Sequence, residues 1–274
     1  MPGVTPDGSD LRCHGFDAAL NSPARFGNRG PSTMSGSLHP ASDPGPLAVA
    51  EAAIAEAATE LFEPALGQRL PLALKLAFTA FMAVLVPVYW TWYGPTNFLY
   101  FCDLALILTL IGIWRESPLL VSMPTVGILA PQILWVADFL AELGGMPLTG
   151  MTAYMFKAEN PLFLRGLSLF HGWLPFLLVF LVWRLGYDRR AWAAWSGLAV
   201  MVLTVCFFTM PGPRPDAGLE PVNINYVWGM SDAVAQTMMP AWAWFASLIV
   251  VVPVVLCGTT HLALRRLMPA PGEA

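Results

Sequence analysis

Charged side chains are scarce: Asp, Glu, Lys and Arg make up 12% of the 274 residues, where a soluble domain carries about 25%. That scarcity excludes a well-solvated globular surface. Basic clusters are absent and the formal net charge is −4, so the chain has no electrostatic footprint for nucleic acid, and no nucleic-acid partner is expected. Paired cysteines are absent as well. Cys13, Cys102, Cys206 and Cys257 stand singly, with no CxxC or Cys/His spacing. This excludes a disulfide framework and a zinc-finger-like structural metal. The first 45 residues have neither an apolar run nor the apolar centre of a secretory signal.

What is abundant is apolar sequence, at 56% of the chain. Runs approaching or exceeding the roughly 18 apolar residues needed to cross a bilayer occur at 70–92, 96–114, 118–142, 163–184, 191–210 and 240–264. The fold class expected is all-α, a polytopic membrane bundle of about six transmembrane helices over residues 65–268. Residues 1–45, rich in Gly, Pro, Ser and Asp, read as a disordered cytoplasmic tail. Residues 46–64 read as an amphipathic surface helix, because Leu47, Ile54 and Leu61 recur every seven residues opposite Glu56, Glu60 and Glu63. Arg69, Arg115, Arg184, Arg189, Arg190, Arg265 and Arg266 all fall at ends or loops on one side. The positive-inside rule then puts both termini in the cytoplasm of a cell whose inner membrane holds the protein. Tyr89, Trp90, Trp92, Tyr93, Trp242 and Trp244 gather near the outer ends as an interfacial belt.

With that topology, a rise of about 1.5 Å per residue assigns depths to the polar residues within the spans. Asp103 lies roughly 10 Å below the outer end of the second span, Asp138 about one turn below that of the third, and His171 roughly 12 Å below Phe163. Ionisable groups at such depth face the bundle interior and take partners. One shared polar pocket in the outer half is the economical arrangement. Thr96, Tyr100 and Asp103 share a helical face at i, i+4 and i+7; Ser168 and His171 share another. Pro124, Pro131 and Asp138 recur at seven-residue intervals, a stripe that faces protein. The loop before the last span contributes Asn225 and Tyr226 as a roof over the pocket. Each feature has a plainer reading: the carboxylates and His171 as interhelical hydrogen-bonding glue, Cys102 as a small core hydrophobe, and Asn225 as a turn former.

The CDLA of the second span, the FHGW of the fourth and the NINY of the last outer loop, in that order, resemble the YwaF-type bacterial membrane proteins. That group is distantly related to eukaryotic ether-phospholipid acyltransferases, and the chain is also similar to bacterial proteins described only as membrane-associated. The resemblance covers roughly residues 70–265. It implies a cysteine nucleophile with a histidine nearby, which maps onto Cys102 and His171. A looser resemblance to androgen-regulated fatty-acid-ester hydrolases implies Thr96 with His171. The expected function is lipid acyl transfer or lipid ester hydrolysis, with Cys102, Asp103 and His171 catalytic and Thr96, Tyr100, Asp138, Ser168, Asn225 and Tyr226 binding substrate. Membrane lipids are the expected partners, without a cofactor or metal. Chemistry alone also allows Asp103, Asp138 and His171 to hold a divalent ion. A proton-coupled small-molecule transporter and a non-catalytic scaffold or assembly protein are the alternatives, and the sequence specifies no oligomeric state.

Overall fold

The computed structural model describes residues 69–146, 148–158 and 160–273, with positions 48, 49, 51, 52 and 55. The expected tail 1–45 and most of the expected surface helix 46–64 lie outside the described residues. Among the described residues every regular element is helical. In chain order the α-helices are α1 (Leu72–Trp92), α2 (Phe101–Arg115), α3 (Pro118–Leu143), α4 (Leu162–Ser168), α5 (Phe170–Leu185), α6 (Ala191–Thr209), α7 (Ala241–Val251) and α8 (Gly258–Leu267). A π-helical turn, Val252–Cys257, joins α7 to α8.

Five stretches are long and apolar enough to cross a membrane: α1, α3, α4 with α5, α6, and α7 through α8. The expected second span behaves differently. Residues Pro95–Leu99 form a 3-10 turn, Tyr100 is extended (φ −62°, ψ 138°), and α2 then runs for 15 residues. At about 1.5 Å per residue it rises only roughly 22 Å, less than a hydrocarbon core of about 30 Å, yet it returns the chain to the end where α1 begins, where Glu116 meets Arg69, Leu70 and Lys75.

Helix α3 is the hub, packing against α2, α5, α6, α8 and the π turn. Its small and prolyl residues make this possible. Pro124 and Asp138 of the seven-residue stripe are buried and Pro131 is half-buried. Gly127 lies against the indole of Trp195 so closely that a Cβ there would stand 1.8 Å from Cε2. The α2–α3 corner is set locally: Glu116 adopts the left-handed conformation (φ 46°) that ends α2. Ser117 then caps α3, its hydroxyl accepting from the Leu120 N–H, with Pro118 at the first helical position.

The arginine-rich end is tied by specific bonds. Lys75, buried in α1, pairs with Glu116 at 2.8 Å, and Glu116 also accepts from the backbone N–H groups of Arg69 and Leu70. The Tyr187 N–H donates to the Pro269 carbonyl, and its hydroxyl bonds His261 Nδ1 at 2.6 Å. Gly186 (φ 88°) must be glycine, because a Cβ would meet Pro271 Cα at 2.5 Å. At the π turn, where Pro253 interrupts the helix, the Pro253 carbonyl accepts from Trp192 Nε1 at 2.9 Å.

Candidate functional site

The polar side chains assigned to the outer half gather at the end opposite the arginines, around the start of α2. A helix that starts abruptly leaves its first N–H groups without partners, and here Asn225 supplies one. Its Oδ1 accepts from the Phe101 N–H at 3.0 Å, and its Nδ2 donates to the Leu99 carbonyl at 2.8 Å. Asn225 thereby clasps both sides of the break at Tyr100. The segment that delivers it is strained: Asn223, Asn225 and Tyr226 have φ of 49°, 57° and 61°, a region costly for a side chain as large as tyrosine. Compensating bonds hold it. Asn223 Oδ1 accepts from Trp228 N–H, its Nδ2 donates to the carbonyls of Gly229 and Ser231, and Trp244 Nε1 donates to the Tyr226 carbonyl. The Tyr100 hydroxyl reaches back to the Val222 carbonyl at 3.3 Å.

Cys102 and Asp103 thus occupy the first turn of α2. Asp103 is buried. Its Oδ2 accepts from Asn97 Nδ2 at 3.1 Å and from the Cys102 thiol at 3.8 Å, while Oδ1 has no hydrogen-bond partner. A buried carboxylate oxygen without a partner is costly. Asn97, which the sequence reading missed, holds the place expected of Thr96. The reason is geometric: the i, i+7 phase that pairs Thr96 with Asp103 requires a continuous helix, and the extended Tyr100 breaks it. Thr96 is half-exposed and makes no side-chain hydrogen bond among the described residues.

Across from α2, the α4–α5 junction carries Ser168 and His171. The Ser168 hydroxyl bonds the Tyr89 hydroxyl of α1 at 2.9 Å, and the Ser168 carbonyl lies 2.8 Å from His171 Nδ1. Since a carbonyl only accepts, Nδ1 carries the proton and Nε2 the lone pair. The imidazole stacks on Trp135 and Phe170, with centroids 4.8 and 4.0 Å away. Tyr154, in the loop after α3, lies on the Ser168 and Trp135 side of the cluster. Tyr226 lies in the strained segment that also carries Asn225. Burial pushes the pKa of both loop hydroxyls upward, so both stay neutral donors at physiological pH.

No hydrogen bond joins Cys102 to His171 among the described residues; Ser168 links Tyr89 of α1 through its hydroxyl to His171 through its carbonyl. Asp138 is differently employed. Its Oδ1 accepts from the N–H groups of Leu148, Thr149 and Gly150, and its Oδ2 from the N–H and hydroxyl of Thr152. That carboxylate organises the loop after α3, leaving little capacity for a ligand. Among the described residues no three His, Cys, Asp or Glu side chains converge as metal ligands.

Tyr89, Asn97 and Tyr154 join the cluster without having been expected. Tyr89 is visible in the sequence only as one more interfacial aromatic, and Tyr154 only as a loop residue; both become site residues through the tertiary approach of α1 and the 144–161 loop to Ser168. Comparison with known proteins found no matching family model, no matching curated protein and no matching solved structure.

Proposed function

We propose that the protein is a multi-pass protein of the cell's inner membrane, both termini cytoplasmic, that carries out acyl transfer or ester hydrolysis on a membrane lipid at the Cys102–Asp103–His171 cluster. One observation carries this reading. His171 Nδ1 is committed to the Ser168 carbonyl and the ring is held by stacking, which leaves Nε2 as a fixed, unengaged base at the same end of the bundle as the Cys102 thiol and the Asp103 carboxylate. The arginine-rich end supports this orientation, with the cluster toward the outer leaflet.

The chemistry divides between two bases. In the first half, Asp103 takes the proton of the Cys102 thiol, with which it already shares a hydrogen bond. The sulfur attacks the ester carbonyl, a thioester forms, and the departing alkoxide takes that proton back from Asp103. In the second half, His171 Nε2 removes a proton from water or an acceptor alcohol as its oxygen attacks the thioester. That proton returns to the sulfur as Cys102 is released. A substrate seated between Cys102 and His171 explains why the two need no direct bond. Tyr154 and Tyr226 would donate to the developing oxyanion.

Proton-coupled transport is the second reading, favoured by the partnerless Oδ1 of Asp103. Acyl-probe labelling of purified protein, together with lipid profiles, separates the readings. Loss of labelling in Cys102→Ala and His171→Ala, with Thr96→Ala unaffected, is the expected result. Labelling and lipids unchanged in Cys102→Ala, Asp103→Asn and His171→Ala would remove the enzymatic reading.

A further inference from the structure

At the arginine-rich end, far along the bundle from Asp103, α1 and α5 diverge. Toward the other end they are held together by edge-to-face rings, Phe78 and Phe81 of α1 against Trp173 and Phe170 of α5. Nearer the arginines, α1 turns Ala73, Leu74 and Ala77 toward α5. There an open groove of about 500 Å³ lies between the helices, lined by Pro71, Ala73, Leu74, Ala77 and Phe180.

Three features meet at the groove's charged end. Arg184 follows Phe180 by four residues, so it stands on the same face of α5, one turn closer to the membrane surface. Arg69 precedes Pro71 at the groove's other wall, and the two arginines are coupled: Arg184 donates to the Arg69 carbonyl at 2.9 Å, and Arg69 to the Leu185 carbonyl at 3.3 Å. Among the described residues each guanidinium makes one such bond, which leaves other N–H donors for a ligand. The third feature is the start of α1, which has Pro71 at its N-cap and neither a capping side chain nor an acidic residue in its first turn. Among the described residues no side chain caps its first N–H groups, which with the positive end of its dipole favour an anion. The nearby acid, Glu116, is already taken by Lys75 and two backbone N–H groups. Arg184 also lines a neighbouring groove with Trp183, Leu267, Pro269 and Glu273, whose carboxylate accepts from the Ala270 N–H.

We propose that this groove binds an anionic phospholipid: one acyl chain lies along Ala73, Ala77 and Phe180, and the phosphate sits between Arg69, Arg184 and the first turn of α1. Apolar lining and cationic rim together match a chain attached to a phosphate. A free anion uses only the rim, and a zwitterionic lipid brings a choline cation up against the two arginines. The site is independent of the chemistry proposed for the Asp103 cluster.

The test uses the full chain purified in detergent, with native mass spectrometry and thermal unfolding in the presence of phosphatidylglycerol, phosphatidylcholine or inorganic phosphate. Phosphatidylglycerol should remain bound and raise Tm, whereas the other two should do neither. Ala77→Phe fills the groove from an exposed position without touching the arginines, and should weaken phosphatidylglycerol binding about tenfold. Arg184→Gln should do the same. Equal effects of phosphatidylcholine or of inorganic phosphate would overturn the proposal. So would undiminished phosphatidylglycerol binding in Ala77→Phe, a variant that keeps the test decisive if Arg184→Gln misfolds.

Discussion

Asp138 and Thr152 are joined twice, the Thr152 N–H donating to Oδ2 at 2.9 Å and its hydroxyl to the same oxygen at 2.7 Å. With three more N–H groups on Oδ1, the carboxylate acts as a template on which residues 148–152 fold. Asp138→Ala strands these donors under a buried site and should cost about 3 kcal/mol of stability. Asp138→Asn, which replaces an acceptor oxygen with a donor, should cost nearly as much. Thermal unfolding in detergent gives the stability, and limited proteolysis within 146–160 should speed up in both variants.

Asn225 should be the most sensitive position of the last outer loop. Alanine there removes the cap from Phe101 N–H and the bond to the Leu99 carbonyl, and it also places a Cβ-bearing residue without a side-chain anchor at φ 57°. A loss of about 2 kcal/mol is expected. Asn225→Gly relieves the backbone strain but not the missing bonds, so it should fall between wild type and Asn225→Ala. The order of the three melting temperatures checks the claim.

Gly127 and Trp195 should be strongly coupled. Gly127→Ala drives a methyl into a fully buried indole that has nowhere to move, at a cost of about 3 kcal/mol. Trp195→Phe frees room at the contact. The double variant should therefore be more stable than the sum of the two single losses predicts, and a double-mutant cycle on unfolding measures the difference.

Two carboxylates outside the spans make stability pH-dependent. Arg190 holds the Asp188 carboxyl below the usual range through its side chain, against a smaller effect of burial. Burial pushes Glu116 up, but the bonds from Lys75, Arg69 N–H and Leu70 N–H outweigh it, and its pKa too is lowered. The unfolded chain therefore binds protons first as pH falls. Stability from both groups is complete above the ordinary carboxylate range near pH 4, and is lost as pH drops through their lower folded values. Melting temperature followed from pH 7 to pH 3 should stay flat from this source until about pH 5 and then decline. Arg190→Gln should flatten the part of the decline that belongs to Asp188.

The helices were legible because hydropathy reports length, and length is what a bilayer demands. Legibility failed where geometry changes inside an apolar run. Tyr100 interrupts the second run without a glycine or proline to announce it, so a phase counted through it selects Thr96 where the folded chain brings Asn97 to Asp103. The π turn at Val252–Cys257 is likewise hidden in an aliphatic stretch whose only sign is Pro253. Asp138 was readable as a buried carboxylate with partners, but not its partners: they come from a loop ten to fourteen residues later, and no periodicity encodes a loop folding back. Asn225 could be read as a loop residue near the cluster; that it clasps Leu99 and Phe101 is a property of two distant segments meeting.

The bond from Tyr187 N–H to the Pro269 carbonyl, with Gly186 pressed against Ala270 and Pro271, bears on biogenesis. The turn between α5 and α6 is synthesised about 80 residues before its partner, several seconds at about 5–20 residues per second. Throughout that interval its backbone has to be served by water or by the insertion machinery. The turn closes only once residues 269–271 have been made, so a segment synthesised much later acts as the latch on a corner laid down earlier.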